Sequence, residues 1–90
     1  MKKNYHICLS GGDEVIFRDN EDYNRGFNSF AMALHRTDTV GLVESFMSTH
    51  CHLLVQSEDP DVFVRIFRNS YSTYFNCKYI RDGKLGEPKH

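Results

Sequence analysis

Apolar positions along the 90-residue chain follow two different spacings. In residues 5–9, 39–48 and 50–56 they cluster with β-branched and aromatic side chains, which is typical of β-strands. In two longer segments they recur every three or four positions, which predicts amphipathic helices. The element order predicted from this pattern is β-α-β-β-α. The two helical stripes contain first Tyr23, Phe27, Phe30, Ala31 and Leu34, and then Val62, Phe63, Ile66, Phe67, Tyr71, Tyr74 and Phe75.

Turn and capping residues separate these elements. The sequence Ser-Gly-Gly-Asp at 10–13 is a turn signal that ends the first strand. Asp19 or Asn20 is the predicted N-cap of the first helix, and the acidic residues that follow suit the positive end of its dipole. Pro60 lies where the first turn of the second helix is expected, and that helix is predicted to run to about Tyr79.

The order β-α-β-β-α is the ferredoxin-like plan without its last strand. It predicts a single α+β domain, residues 1–90, in which two helices cover one antiparallel sheet. Residues 85–90 are polar and are predicted to have no partner element. A missing last strand leaves an open sheet edge, and such edges pair with other chains unless they are blocked. A homodimer through this edge is therefore one predicted assembly.

Composition and charge exclude several classes of protein. No apolar run is long enough to span a membrane. Cys8, Cys51 and Cys77 are an odd number of widely spaced cysteines without a CxxC motif, so we expect reduced thiols and a cytoplasmic protein. The whole chain has a net charge of −1, but from Val62 onward six basic residues stand against two acidic ones. A solvated helix face explains this excess, and an anionic partner is the alternative.

The sequence His50-Cys51-His52 falls on the third predicted strand. Residues two apart on a strand point to the same face, so the two imidazoles lie side by side while Cys51 points into the opposite layer. Two neutral imidazoles on one face form half of a site for a divalent cation, which a carboxylate, an amide or water must complete. Because Cys51 faces the other way, a combined Cys/His zinc cluster is excluded. A strand with two half-exposed histidines is the simpler alternative.

Three segments of the chain, taken in order, match one family. The hairpin around the histidines reads S-F-M-S-T-H-C-H-L-L-V-Q. The segment between the first strand and the first helix reads G-G-D-E-V-I-F-R-D-N-E-D-Y, and the second helix with its turn reads N-S-Y-S-T-Y-F-N-C-K-Y-I-R-D-G-K-L-G. Together they resemble the single-tyrosine HUH transposases, in which U is a hydrophobic residue, and above all the insertion-sequence-200 type and the REP-associated transposases. The resemblance covers residues 5–86.

This resemblance implies metal-dependent nicking and rejoining of single-stranded DNA during transposition. In such enzymes the positions of His50 and His52 hold Mg²⁺ or Mn²⁺ against the scissile phosphate, and a tyrosine forms a phosphotyrosine intermediate. The family's tyrosine lies on a helix after the fourth strand, close to a third metal ligand, so both are expected beyond residue 90. Tyr79 is the remaining candidate nucleophile within the chain. We therefore expect a truncated, catalytically inactive transposase domain that binds metal and DNA weakly.

Polar residues of the second helix are candidates for DNA contacts. A solvated helix face is the alternative interpretation of the same residues. A second class of function is therefore a non-catalytic module that binds single-stranded nucleic acid or forms a homodimer. We expect His6 and His35 to be structural or exposed. Contacts to DNA phosphates, which do not read the base sequence, are predicted for Arg65, Arg68, Asn69, Ser72 and Asn76.

Overall fold

The structure is a computed structural model that describes residues 1–81 and 83 and the backbone of residues 87–89. Helices and strands follow one another in the predicted order, and the α+β class is confirmed. The elements, in chain order, are β1 (Lys3–Ser10), α1 (Asn20–Arg36), β2 (Val40–Phe46), β3 (His50–Ser57), α2 (Pro60–Tyr79) and β4 (Glu87–Lys89).

The strands form one antiparallel sheet in the order β2-β3-β1-β4, which is the ferredoxin-like arrangement. β3 therefore lies inside the sheet, with β1 on one side and β2 on the other. In this register His52 lies opposite Cys8 of β1 and Ser45 of β2, and His50 lies opposite Ser10 of β1. Both histidines thus belong to a strand whose backbone is held from two sides.

The end of the chain differs from the prediction. Residues 85–90 were expected to have no partner and the last strand to be missing, but Glu87–Lys89 forms the short strand β4 along β1. Its Cα partners on β1 are Cys8, Leu9 and Ser10. Three residues that include Pro88 carry no alternating apolar pattern, so the sequence gives no strand signal there. The pairing depends instead on the main-chain groups that the edge of β1 offers.

Both helices cover the same face of the sheet, and the core lies between the helices and the sheet. Along β3 the burial alternates, because Cys51, Leu53 and Val55 are buried while the residues between them are only half-buried. The half-buried side of β3, which includes His50 and His52, lies on the face that no described helix covers, and we call it the open face. The core partners of the three buried β3 residues are Ile7, Leu9, Ile16, Phe17, Phe30, Ala33, Phe63, Val64, Phe67, Tyr71 and Phe75.

The segment between β1 and α1 packs against the turn that precedes β3. The main-chain N–H groups of Ile16 and of the residue after it both donate to the carbonyl oxygen of Ser48, at 2.7 and 3.0 Å. The N–H of Gly11 donates to the carbonyl oxygen of Thr49 at 2.8 Å. These three bonds fix the main chain directly before His50 from the side of the loop.

Both helices begin and end close to the predicted residues. Asp19 is the N-cap of α1, and its side chain accepts a main-chain hydrogen bond of 2.9 Å from the first turn. Asp59 caps α2 in the same way, and Pro60 lies in the first turn, where its missing N–H costs nothing. α2 ends at Tyr79 because Ile80 adopts the left-handed conformation, with a φ of 52°.

Candidate functional site

His50 and His52 occupy neighbouring positions on the open face of β3. The strand begins at His50 because the preceding residues turn tightly, and Met47 and His50 exchange main-chain hydrogen bonds of 2.8 and 3.3 Å. The centroids of the two imidazole rings are 5.1 Å apart, and the ring planes meet at 88°. Cys51, between them, is fully buried on the other face. The predicted side-by-side placement of the imidazoles is confirmed.

Each of the two rings has one nitrogen engaged. Nδ1 of His50 lies 3.1 Å from the hydroxyl of Thr49, and Nδ1 of His52 lies 3.1 Å from Nε2 of His6. Among the described residues, neither Nε2 atom has a hydrogen-bond partner. Two imidazoles whose Nδ1 atoms are occupied and whose Nε2 atoms have no partner among the described residues suit the binding of a metal ion.

His6 belongs to this cluster, which the sequence analysis missed. Its ring meets that of His52 edge to edge, because the two nitrogens are 3.1 Å apart while the ring centroids are 5.2 Å apart, and the ring planes are 12° from parallel. β1 and β3 run antiparallel with Cys8 opposite His52, so His6 reaches His52 diagonally across the two strands. The prediction of a structural or exposed residue is correct in that His6 is exposed, but it overlooked the contact. The sequence indicates this contact only by the presence of a histidine, His6, on the predicted first strand.

The chemistry of these residues suits half of a metal site. Among the described residues, no three side chains of His, Cys, Asp or Glu are arranged to hold a metal ion. Burial raises the pKa of the Cys51 thiol to about 12, so this thiol stays protonated at neutral pH and is no competing ligand. His50 and His52 offer two imidazole nitrogens, and the rest of a coordination shell for Mg²⁺ or Mn²⁺ would have to come from the oxygen donors that these ions prefer.

The tyrosines of this chain all lie on the helix side of the sheet, away from the open face. Tyr71 is buried in the core, and its hydroxyl donates to the carbonyl oxygen of Ile16. Burial raises the pKa of the Tyr71 hydroxyl far above its ordinary value. None of the chain's tyrosines is therefore placed beside His50 and His52. The four that pack against the core while partly buried are Tyr5, Tyr23, Tyr74 and Tyr79.

Tyr79 and Tyr74 are bound to a buried carboxylate. Asp22 is fully buried, and it accepts hydrogen bonds from the hydroxyls of Tyr74 at 2.5 Å and Tyr79 at 2.6 Å. It also accepts the main-chain N–H of Arg18 at 2.9 Å and the ammonium group of Lys78 at 3.0 Å. Burial alone raises the pKa of Asp22, but these four donors outweigh it and lower the pKa to about 2. The cluster stabilises the ionised carboxylate.

Lys78 joins the end of α2 to the start of α1. Its ammonium group lies 2.8 Å from Asp19, 2.8 Å from Glu21 and 3.0 Å from Asp22. Hydrogen bonds to these carboxylates, led by the one to Asp19, raise the pKa of Lys78 above its ordinary value. Desolvation and the hydrogen bond to Asp22 likewise raise the pKa of the Tyr79 hydroxyl. This arrangement holds two helices together, and it leaves Tyr79 a poor nucleophile.

The predicted DNA-contacting residues of α2 lie on the helix side and do not meet the histidines. Arg65 and Asn69 are exposed, and Arg68 is half-buried. Ser72 is buried, with 4% of its surface exposed, and Asn76 makes hydrogen bonds of 2.6 Å within the turn after α2. A helix has one core-facing side, and Ser72 lies at its border, where the polar pattern alone suggested an exposed position. Arg65 and Asn69 are thus the best placed of the five for a partner.

Comparison with known proteins shows which fold this chain shares. No family model matches the chain, and no curated protein matches it. The chain is similar to the solved structure of a "putative transposase" from Deinococcus radiodurans R1, with a TM-score of 0.77 over 99% of this chain and 77% of that chain. The two sequences are 12% identical, so the likeness shows a shared fold. In the described residues, no helix is long and apolar enough to cross a membrane.

Proposed function

We propose that this protein is a domain of the metal-dependent HUH type that binds single-stranded DNA in transposition, with His50 and His52 as metal ligands. The observation that carries the proposal is the pair of imidazoles on the open face, each with Nδ1 hydrogen-bonded and with no partner at Nε2 among the described residues. The HUH sequence around them supports it, and so does the fold shared with the Deinococcus protein. The fold alone would fit many functions, so the weight of the proposal rests on the site.

His50 and His52 would supply two neutral nitrogen ligands to Mg²⁺ or Mn²⁺. The bound ion would polarise a phosphate oxygen of the DNA and stabilise the negative charge that develops during strand cleavage. Thr49 restrains the ring of His50 through Nδ1 of His50, and His6 restrains the ring of His52 through Nδ1 of His52. The remaining ligands would be oxygen atoms of water and of the DNA phosphate, which are the donors that these hard cations prefer.

We further propose that the nucleophilic tyrosine is not among the 90 residues. In an HUH enzyme a tyrosine hydroxyl would attack the phosphorus, form a 5′-phosphotyrosine and break the bond to the other DNA end, which leaves as a free 3′-hydroxyl. In this chain every tyrosine packs on the helix side of the sheet, and the hydroxyl of Tyr79 is bound to Asp22 at 2.6 Å. The 90 residues would accordingly bind metal and DNA without cleaving a strand.

The proposed assembly is a homodimer through a sheet edge. β4 covers the end of β1, so we place the open edge at β2, the other outer strand of the sheet. Val40, Leu42 and Val43 of β2 expose 42%, 43% and 56% of their surfaces. Apolar side chains on an edge strand favour pairing with a second copy. The three free cysteines support the expected cytoplasmic location.

A second candidate function, nucleic-acid binding without catalysis, would use the helix side instead. Arg65 and Asn69 are exposed on α2, and Asn69 lines a groove between the two helices that also contains Arg36 of α1. Cationic and amide groups along such a groove bind phosphates without reading sequence. This surface and the histidine pair lie on opposite sides of the sheet, so variants can test them separately.

Anisotropy of a fluorescent single-stranded oligonucleotide, titrated with protein in Mn²⁺ or in EDTA, separates the two functions. We expect Mn²⁺ to tighten binding by about tenfold, which corresponds to about 1.4 kcal/mol, and the double variant H50A/H52A to lose this effect. H35A, on the exposed surface of α1, is the matched control and should behave as the wild type. Mn²⁺-dependent tightening that persists in H50A/H52A would contradict the proposed metal site.

The helix-side alternative makes a different prediction in the same titration. If it is correct, the double variant R65A/N69A weakens binding equally in Mn²⁺ and in EDTA, whereas H50A/H52A binds as the wild type does. A denaturing gel of the same mixtures tests the nucleophile. A covalent protein–DNA adduct that disappears in Tyr79→Phe would show that the tyrosine lies within the chain and would overturn that part of the proposal.

A further inference from the structure

The contact between His6 and His52 has a chemical consequence for the site. Nε2 of His6 lies 3.1 Å from Nδ1 of His52, and the two ring planes are 12° from parallel. Between two neutral imidazoles, one nitrogen must donate a proton and the other must accept it. The contact therefore links the tautomer of His52 to that of His6.

Only one of the two arrangements is compatible with a metal ligand at His52. If Nδ1–H of His52 donates to Nε2 of His6, then Nε2 of His52 carries a lone pair. If Nε2–H of His6 donates instead, the proton of neutral His52 is on its own Nε2, which then cannot bind a metal ion. Metal-bound histidines almost always donate their other N–H to an acceptor, and His6 stands where that acceptor belongs.

We propose that His6 is a positioning residue that accepts the Nδ1 proton of His52 and so holds His52 in the tautomer with a free Nε2. This inference rests on the metal site proposed above. His50 has the corresponding acceptor in the hydroxyl of Thr49, which lies 3.1 Å from its Nδ1. The two rings meet edge to edge with their planes 12° from parallel, so the contact joins the two nitrogens and not the two ring faces.

The backbone gives this contact a fixed geometry. His6 and His52 lie on paired antiparallel strands, His6 opposite Leu54 and Cys8 opposite His52. The diagonal between positions on one face of two such strands is within reach of aromatic side chains. His6 is itself exposed, so it can be replaced without opening the core. Cys8 lies on the same strand and faces His52 directly, which makes Cys8→Ala a matched control.

Long-range ¹H–¹⁵N spectra of the imidazole rings, recorded without metal at about pH 8, distinguish the two tautomers and the doubly protonated ring directly. We expect His52 of the wild type to carry its proton on Nδ1 and to shift toward a mixture of tautomers in H6A. His6→Gln, whose amide oxygen can accept the same proton, should restore the Nδ1–H form, and C8A should leave it unchanged. A wild-type His52 protonated on Nε2, or an H6A spectrum identical to that of the wild type, would overturn the proposal.

A Mn²⁺ titration followed by electron paramagnetic resonance of the free ion supplies the second readout. We expect H6A to bind Mn²⁺ about tenfold more weakly than the wild type, and H6Q to recover most of that loss. Unchanged affinity in H6A, with binding lost in H50A/H52A, would refute the role of His6 and leave the metal site standing. A wild type that binds no Mn²⁺ would refute the proposed function, while the tautomer spectra would still decide whether His6 orients His52.

Discussion

His50 and His52 lie on the open face of β3, whereas Cys51, between them in the sequence, lies on the core face. Cys51 is fully buried, and burial raises the pKa of its thiol to about 12. The two histidines are half-buried on the open face, with Nδ1 bound and, in the described part of the chain, no partner at Nε2. The alternation of a strand thus places an inert thiol in the core and two potential ligands outside it.

Asp22 is the residue with the clearest predicted effect on stability. Asp22→Asn removes the negative charge that Lys78 and the hydroxyls of Tyr74 and Tyr79 bind, and it leaves these donors partly unpaired. We expect the variant to unfold about 2–4 kcal/mol more easily than the wild type at neutral pH in urea titrations. Asp13→Asn, at an exposed position, is the control and should change stability little.

The same carboxylate predicts how stability depends on pH. The pKa of Asp22 is about 2 in the folded protein, below its ordinary value of 3.8. Its contribution is therefore complete above about pH 5 and is lost as the pH falls through 4 toward 2. Urea unfolding at a series of pH values should show this loss in the wild type and a flatter profile in D22N. Parallel profiles in the two proteins would rule out the proposed ionisation.

At the level of elements, the sequence predicts a helix or strand correctly where the residues that determine it lie within that element. The bounds of α2 follow from an apolar stripe, an acidic N-cap and Pro60, all of which lie in the helix itself. β4 could not be predicted, because three residues around Pro88 form a strand only through the edge of β1, a distant part of the chain. Such pairing depends on tertiary context, which the pattern of neighbouring residues does not contain.

Gly26 shows where packing outweighs helix propensity. A Cβ at this position of α1 would lie 2.6 Å from the ring of Phe17 and 3.0 Å from the ring of Phe46, and these two rings are stacked on each other. Gly26→Ala gains about 1 kcal/mol of helix propensity but forces these rings apart. We expect a net loss of about 1–2 kcal/mol in urea unfolding.

The control for this prediction is Asn28→Ala, at an exposed position two residues further along the same helix. This change also raises helix propensity, by a smaller amount and at an exposed position, so it should stabilise the protein by about 0.5 kcal/mol. A Gly26→Ala protein as stable as the wild type, or more stable, would show that the rings of Phe17 and Phe46 move apart without lowering the free energy of unfolding.

At the level of the whole molecule, the candidate site shows how far sequence reasoning extends. The period of two along a strand placed His50 and His52 on one face, and the structure agrees. The contact with His6 depends on the register of β1 against β3, which pairs residues 46 positions apart in the chain. Likewise, only the packing of both helices on one face shows that Tyr79 and Arg65 lie across the sheet from the histidines.

The proposed homodimer belongs to this scale as well. If a second copy pairs along β2, light scattering after gel filtration should report a dimer, and Val43→Lys should shift it to the monomer by placing a charge on the edge. Asn69→Lys adds the same charge on the exposed side of α2 and should leave the dimer intact. A wild type that stays monomeric at high concentration would contradict the edge-pairing proposal.

The metal site itself can be located by paramagnetic broadening. Substoichiometric Mn²⁺ added to ¹⁵N-labelled protein should broaden the amide signals around His50 and His52 and those of their β1 partners, Ser10 and Cys8. The signals of α1 and α2 should stay sharp, and the broadening should vanish in H50A/H52A. Broadening centred instead on the carboxylates at the start of α1, or unchanged in H50A/H52A, would contradict a metal-dependent site on the open face.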